Sequence, residues 1–359
     1  MMNKGRPRGS AATERRRTMT GKNDAEVRVQ KRNENHPGDQ LIINCLPLDQ
    51  SERQEFLQAA PGVRQEFIVD TDMRQSMHWL IDVPESLRSE ATIILGNPPA
   101  EQVVACRNLV WLQTSSAGVD AYMKPGVLPP DAMLTSASGA YGQSVSEHMF
   151  AMMWALMKDL PAYRDNQRLG RWEPRGAVLS PHGCQVLVLG TGDIGASFAR
   201  LAKAVGARTI GIRRHPDQPV EGFDRLAGFD DLDALLPEMD VVALALPSTP
   251  QTRHIIDDHR LALMKSTAVL INAGRGDAVD CMALAQALDK DGIFGAGLDV
   301  TEPEPLPEDH PLWRQPRCLL TPHVAGGAYL PSNMDKVREI CLDNLHRFMD
   351  GRPLRNRMR

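Results

Sequence analysis

Residues Val186-Leu187-Val188-Leu189-Gly190-Thr191-Gly192-Asp193-Ile194-Gly195 decide how the rest of the chain reads. Four consecutive apolar residues predict a strand buried on both faces, as parallel strands are. The three glycines then fall on a G-x-G-x-x-G spacing, and Ile194, Phe198, Leu201 and Val205 follow at helical intervals. In such a strand, turn and helix the first glycine permits a tight bend. The second lets backbone approach a pyrophosphate, and the third lets helix and strand pack closely. Unpaired N–H groups at the helix start then face the anion. Gly190, Gly192, Asp193, Ile194 and Gly195 are therefore candidate dinucleotide contacts, although the spacing alone also fits an ordinary glycine-rich turn.

The next strand, Arg208–His215, ends in Arg213 and Arg214. In NAD-binding turns a carboxylate about 20 residues past the glycines bonds the ribose 2′-hydroxyl, whereas an arginine there suits the 2′-phosphate of NADP. A guanidinium offers paired donors to phosphate oxygens, which a carboxylate would repel. NADP is the expected cofactor and NAD the alternative, while two solvated surface arginines would read the same way.

Upstream, the apolar runs Leu41–Ile43, Phe67–Val69, Thr92–Leu95 and Leu109–Leu112 alternate with polar, helical stretches such as Ser51–Ala60. That rhythm predicts a parallel sheet with covering helices. Gly96-Asn97-Pro98-Pro99 and Ser115-Ser116-Ala117-Gly118-Val119-Asp120 each follow such a strand, where open α/β sheets bind ligands, though simple connecting turns would look alike. Ser144 and Glu147 have capping-box spacing ahead of Met149–Met157, which is apolar on nearly every side. The pattern predicts a helix buried all round, between domains, in a subunit interface or in a monomer core.

Downstream, Val241–Leu246, Ala268–Asn272, Gly295–Val300 and Cys318–Thr321 read as buried strands, with helical patterns at Asp231–Leu236 and Met282–Leu288. The last three run into Asn272-Ala273-Gly274-Arg275-Gly276, Asp299-Val300-Thr301-Glu302-Pro303-Glu304 and Thr321-Pro322-His323. Arginine, carboxylate and histidine would thus meet at one edge of one sheet. Val337, Ile340, Leu342 and Leu345 predict a terminal helix from about Tyr329 to Phe348.

The bulk numbers bound the function. A chain of 359 residues with 42% hydrophobic content suits two domains, and a net charge of −4 gives no global case for binding nucleic acid or an anionic membrane. No apolar run approaches the roughly 18 residues a bilayer span requires. Cys45, Cys106, Cys184, Cys281, Cys318 and Cys341 are scattered, without Cys-x-x-Cys or Cys/His clustering. Neither a disulfide framework nor a metal site is expected, and a reducing cytoplasm fits. Residues 1–37, basic and poor in large apolar side chains, read as a disordered tail.

Together with the glycine turn, Leu246-Pro247-Ser248-Thr249-Pro250-Gln251-Thr252, Leu270-Ile271-Asn272-Ala273-Gly274-Arg275-Gly276, the block from Leu298-Asp299-Val300 to Glu304-Pro305-Leu306-Pro307, His310-Pro311-Leu312-Trp313 and Thr321-Pro322-His323 carry a resemblance. The sequence resembles the D-isomer-specific 2-hydroxyacid dehydrogenase family, its glyoxylate/hydroxypyruvate reductase-like members in particular, over most of the chain beyond the tail. The resemblance implies two doubly wound parallel-sheet domains, with a Rossmann-type dinucleotide domain (141–325) inserted into a flavodoxin-like substrate domain (38–140 and 326–359). It further implies catalysis in the cleft and a homodimer. By position, Arg275 resembles the arginine that binds substrate, Glu304 the carboxylate that partners the histidine, and His323 the acid/base. Asp299 resembles the residue that bonds the nicotinamide carboxamide. Leu246, Pro247, Thr252, Ala273 and Gly274 fall among cofactor contacts, and Asn97, Ala117 and Gly118 in loops that hold the substrate carboxylate.

Chemistry supports these roles. A 2-keto acid needs its carboxylate clamped so that C2 faces the nicotinamide, which a bidentate arginine can do. Reduction needs a proton delivered to the developing alkoxide, and histidine supplies one near neutrality. A neighbouring carboxylate orients that ring and favours imidazolium. Three departures from the family pattern stand out: the Arg213/Arg214 strand end, Thr301 where an aromatic is common, and Lys158 where an arginine is usual near the dimer contacts. Glu304 speaks against a formate dehydrogenase, which carries glutamine there. The alternative reading is a dinucleotide-sensing binding protein like the related corepressors, which keep the same catalytic residues.

Overall fold

A computed structural model describes residues 40–75, 80–327 and 330–359. The expectations for the basic tail (1–37) and for Tyr329 lie outside these residues. The chain divides into two compact units, one drawn from Met1–Ala137 and Asp335–Arg359, the other from Ser138–Met334.

In the first unit, β1 (Leu41–Asn44), α1 (Gln50–Ala59), β2 (Arg64–Phe67), α2 (Glu85–Arg88), β3 (Ile93–Leu95), α3 (Ala100–Val103), β4 (Trp111–Gln113) and β5 (Met133–Thr135) alternate along the chain. All strand pairs are parallel, in the order β2-β1-β3-β4-β5. This is the doubly wound order 2-1-3-4-5 of flavodoxin-like sheets. Asp49 starts α1 with a complete capping box, its carboxylate accepting from Glu52 N at 2.9 Å while Glu52 Oε2 accepts from Asp49 N at 2.8 Å. The second strand begins three residues before the apolar run Phe67–Val69 that signals it. It is an edge strand whose residues stay exposed or half-buried, so polar Arg64, Gln65 and Glu66 are tolerated there.

The second unit holds α4 (Gly142–Met157), α5 (Leu160–Arg168), β6 (Gln185–Leu189), α6 (Asp193–Ala204), β7 (Arg208–Ile212), β8 (Arg225–Ala227), α7 (Leu232–Leu235), β9 (Val241–Leu244), α8 (Asp258–Leu263), β10 (Val269–Asn272), α9 (Cys281–Asp289), β11 (Gly295–Leu298) and β12 (Cys318–Leu320). Its seven parallel strands run β12-β11-β10-β9-β6-β7-β8. The strand order reverses beside β6, so the glycine turn sits at the topological switch point where such sheets bind ligands. Successive residues feed opposite faces. Val186, Val188, Val241, Ala243, Val269 and Ile271 pack with α4 and α6, while Leu187, Leu189, Val242, Leu244 and Leu270 build the core of the other face.

Two expectations about α4 change. The helix starts at Gly142, two residues before Ser144, and no side chain caps it. Ser144 lies inside the first turn, where its hydroxyl donates back to the Tyr141 carbonyl, and Glu147 instead accepts from Gln143 Nε2 at 3.1 Å. Nor is the helix buried all round. Val145, Met149, Met152, Met153, Leu156 and Met157 enter the core, but Phe150 and Trp154 remain half-buried on the outer side, edge to face at 6.1 Å. A last helix, α10 (Pro331–Met349), ends in the first unit, where Phe348 stacks on Trp111 at 5.1 Å. Among the described residues, no helix is long and apolar enough to cross a membrane.

Candidate active site

The glycine turn is built as its three glycines require. Gly190 has φ +96°, and a Cβ there would lie 2.6 Å from the Ala245 carbonyl oxygen. A Cβ on Gly195 would collide with the Gly190 carbonyl oxygen, so α6 packs directly on the strand that precedes it. A Cβ on Gly192 would meet no protein atom within 4 Å. Gly192 is also the N-cap of α6, and no side chain caps that helix. Open backbone and uncapped N–H groups together fit a bound pyrophosphate. The Asp193 carboxylate does not cap its own helix either; it is packed against Cα of Gly142 at the start of α4.

Beyond β9, β10 and β11 the connecting loops press on one another. Thr252 Oγ1 donates to the Pro247 carbonyl at 2.7 Å, and a Cβ on Gly274 would come 2.7 Å from Leu246 N. Asn272, the buried last residue of β10, shapes the loop that carries Arg275: its Oδ1 accepts from Gly274 N at 3.1 Å and its Nδ2 donates to the Arg275 carbonyl at 2.9 Å. A Cβ on Gly276 would strike the Thr301 carbonyl, which locks this loop to the one bearing Glu302 and Glu304. Glu302 accepts from Arg253 Nη1 at 2.6 Å and pairs with His254 Nε2 at 3.1 Å. Burial pushes its carboxyl up, but the hydrogen bonds from Arg253 and His254 outweigh burial and hold it below the usual range.

His323 Nδ1 lies 2.6 Å from Glu304 Oε1, and both side chains are about half exposed, at 47% and 43%. The His323 backbone is left-handed, with φ +55°. The Asp299 carboxylate, 2% exposed, holds this segment on both sides of His323: Oδ1 accepts from Thr321 Oγ1 at 2.6 Å and Val324 N at 2.9 Å, and Oδ2 from Ala325 N at 3.0 Å. Arg275, Glu304 and His323 therefore all sit beyond the carboxyl ends of the adjacent strands β10, β11 and β12.

Residues 150–325 match the family model for the D-isomer specific 2-hydroxyacid dehydrogenase NAD binding domain. A glyoxylate/hydroxypyruvate reductase B from Pectobacterium carotovorum is 33% identical over 246 residues, which cover 66% of this chain and 75% of the relative. A D-isomer specific 2-hydroxyacid dehydrogenase family protein from Aeromonas salmonicida is 31% identical with a TM-score of 0.74, covering 89% of this chain and 99% of that one. A D-isomer specific 2-hydroxyacid dehydrogenase from Xanthobacter autotrophicus, solved in complex with NADPH and MES, is 27% identical with a TM-score of 0.71, over 89% and 98% of the two chains. The chain belongs to the D-isomer specific 2-hydroxyacid dehydrogenase family.

This dehydrogenase is thus an NAD(P)-dependent oxidoreductase acting on CH–OH groups, with the Rossmann-type fold of its family. Of the other anticipated residues, Arg213 is half-buried and donates to the Gln218 carbonyl at 3.1 Å, while Arg214 is exposed. Asn97, Ala117 and Gly118 lie in the first unit. There Asn97 Oδ1 accepts from Ser115 N at 3.0 Å and Ser116 Oγ donates to the Gly118 carbonyl at 2.6 Å, so the loops after β3 and β4 are joined. Sequence reasoning named Thr321 only as part of the motif before His323, without its bonds to Asp299 and His148, and it missed His148. The signal for His148 was a lone histidine at the edge of an apolar helical run, where a ring nitrogen calls for a partner.

Proposed function

We propose that this dehydrogenase reduces a small 2-keto acid, glyoxylate or hydroxypyruvate, to the D-2-hydroxy acid with a preference for NADPH. The observation that carries the reading is the His323–Glu304 pair, 2.6 Å apart, beside the strand end that bears Arg275. The names of the relatives support the substrate class, and the NADPH-bound neighbour supports the cofactor, as does the Arg213/Arg214 strand end.

NADPH, when bound, supplies the hydride that reaches C2. Arg275 clamps the substrate carboxylate or carbonyl, and the amide groups of Ala117 and Gly118 with Asn97 bind the carboxylate. Glu304 engages Nδ1 of His323, which leaves Nε2 as the nitrogen that gives a proton to the carbonyl oxygen as C=O becomes CH–OH. Solvent then reprotonates the ring. Gly190, Gly192, Asp193, Ile194 and Gly195 would hold the pyrophosphate, Arg213 and Arg214 the 2′-phosphate, and Leu246, Pro247, Thr252, Ala273 and Gly274 the rest of the dinucleotide. Asp299 Oδ2 keeps an acceptor position beyond its bond to Ala325 N for the carboxamide.

The assembly is a homodimer, for which exposed Leu160, Leu169 and Trp172 on and beyond α5 provide apolar surface. Its six unpaired cysteines suit the cytoplasm.

The test is steady-state oxidation of NADPH by the purified protein across a panel of 2-keto acids. Turnover with glyoxylate or hydroxypyruvate is expected, and His323→Ala should keep cofactor binding while losing most of it. Flat traces across the panel with intact NADPH binding would replace this reading with a dinucleotide-sensing protein.

A further inference from the structure

The acid/base histidine has a support that begins on another element. His148 projects from the first half of α4, and its Nε2 lies 3.0 Å from Thr321 Oγ1 and 3.8 Å from Asp299 Oδ1. Thr321 has one hydroxyl hydrogen, and at 2.6 Å it goes to Asp299 Oδ1, whose carboxylate also accepts from Val324 N and Ala325 N. The Thr321 oxygen must then accept from His148, which requires the proton of that ring to sit on Nε2. The chain of donors is thereby fixed in direction: His148 Nε2–H to Thr321 Oγ1, and Thr321 Oγ1–H to Asp299 Oδ1. The same carboxylate takes the N–H groups of Val324 and Ala325, and the Asp299 carbonyl takes His323 N at 2.8 Å. Residue 323 is thus pinned in a left-handed conformation that a non-glycine residue adopts only when its surroundings impose it.

We propose that His148 is a positioning residue for the reduction, acting through Thr321 and Asp299 to hold the His323 ring where Nε2 can reach the substrate. The proposal rests on His323 being the acid/base. Without the Nε2–H donor, the Thr321 oxygen loses its partner and the bond by which Thr321 ties the strand end to Asp299 is weakened, while Val324 N and Ala325 N still hold the Asp299 carboxylate. Glu304 still holds Nδ1, but the backbone that carries the ring is held less tightly on its Thr321 side. The expected loss is therefore in the chemical step and not in dinucleotide affinity.

Two pairs of variants test this, each with a conservative member that restores the bond. His148→Phe removes the donor, whereas His148→Gln places an amide N–H near the position of Nε2. Thr321→Val removes the hydroxyl, whereas Thr321→Ser keeps it. His148→Phe and Thr321→Val should each lower kcat by between about 10- and 100-fold, the scale of a small misplacement of a catalytic group. NADPH Kd should not change, and the Gln and Ser variants should recover most of the rate. Equal rates in His148→Phe and wild type, or equal losses in Phe and Gln variants that both fold, would overturn the proposal.

If the wild type shows no turnover with any 2-keto acid, the functional reading fails on its own. The positioning claim is then decided by ¹⁵N-imidazole NMR. The His323 ring signals should move in His148→Phe and return in His148→Gln, and an unmoved His323 ring refutes the claim.

Discussion

Glu304 Oε1 and His323 Nδ1 stand 2.6 Å apart on loops that follow two adjacent strands, so the ring is oriented from one side and presents Nε2 on the other. Glu304→Gln keeps the size of the partner but removes its charge, and Glu304→Ala removes both. kcat for 2-keto acid reduction should fall on the order of 10²-fold in Glu304→Gln and further in Glu304→Ala, within the range of general acid catalysis. Fluorescence titration with NADPH should give unchanged affinity. A Gln variant with wild-type kcat would mean that the carboxylate has no part in proton delivery.

The glycine turn separates folding from binding. A methyl on Gly195 would meet the Gly190 carbonyl, so Gly195→Ala should lower stability by about 1–3 kcal/mol, the usual cost of overpacking. A methyl on Gly192 meets nothing of the chain, and its φ of −73° suits alanine. Gly192→Ala should therefore melt near the wild-type temperature while binding dinucleotide about 10-fold more weakly, since the methyl enters the path of the pyrophosphate. Calorimetric melting and cofactor titration of both variants would show the split, and equal melting temperatures for the two would contradict it.

On the proposed reading, Arg213 carries the cofactor preference. Its guanidinium donates to the Gln218 carbonyl and stands at the end of β7 beyond the glycine turn. Arg213→Ala should weaken NADPH by about 10-fold, the worth of one charge-assisted bond to phosphate, and leave NADH unaltered. An unchanged ratio of the two affinities would make Arg213 plain surface charge.

Acid stability should depend on Glu302. Arg253 and His254 hold its carboxyl below the ordinary value, so between the folded and unfolded titrations the unfolded chain binds the extra proton. The stabilisation is present above the unfolded value and disappears as pH falls through the lower, folded one. Urea midpoints of the wild type should drop as pH falls below about 5, and Glu302→Gln should follow a flatter curve. Parallel curves would show that the Arg253–Glu302–His254 cluster contributes nothing to folding.

Trp172 is fully exposed, with Leu169 and Leu160 also exposed nearby in sequence. If this stretch is the homodimer contact, Trp172→Glu should convert the dimer to a folded monomer in analytical ultracentrifugation. A dimer of undiminished affinity would place the contact elsewhere.

What the sequence made legible follows from how far apart the partners lie. The β6 strand, the turn and α6 occupy a single stretch with clear periodicity, and the strand ends at Arg275, Glu304 and His323 follow apolar runs. Strands β5 and β8 have three residues each and no sustained apolar pattern, so they went unseen, as did polar α5. The Ser144/Glu147 spacing predicted a cap and met a helix interior, because local spacing does not say where a helix begins. His148 and Thr321 are separated by 173 residues, and only the packing of α4 against β10 and β11 brings them together.

Asn272 clasps Gly274 and Arg275 with a single wholly buried amide. Ordering the backbone of one residue costs roughly 1–2 kcal/mol, and at this loop folding has already met that cost. An anion arriving at Arg275 finds the loop in its final shape and need not immobilise it. The loop also has no independent melting of its own, since its clasp is the last residue of a central strand. Heat inactivation of the Arg275 site should therefore coincide with unfolding of the seven-stranded sheet, with no earlier loosening.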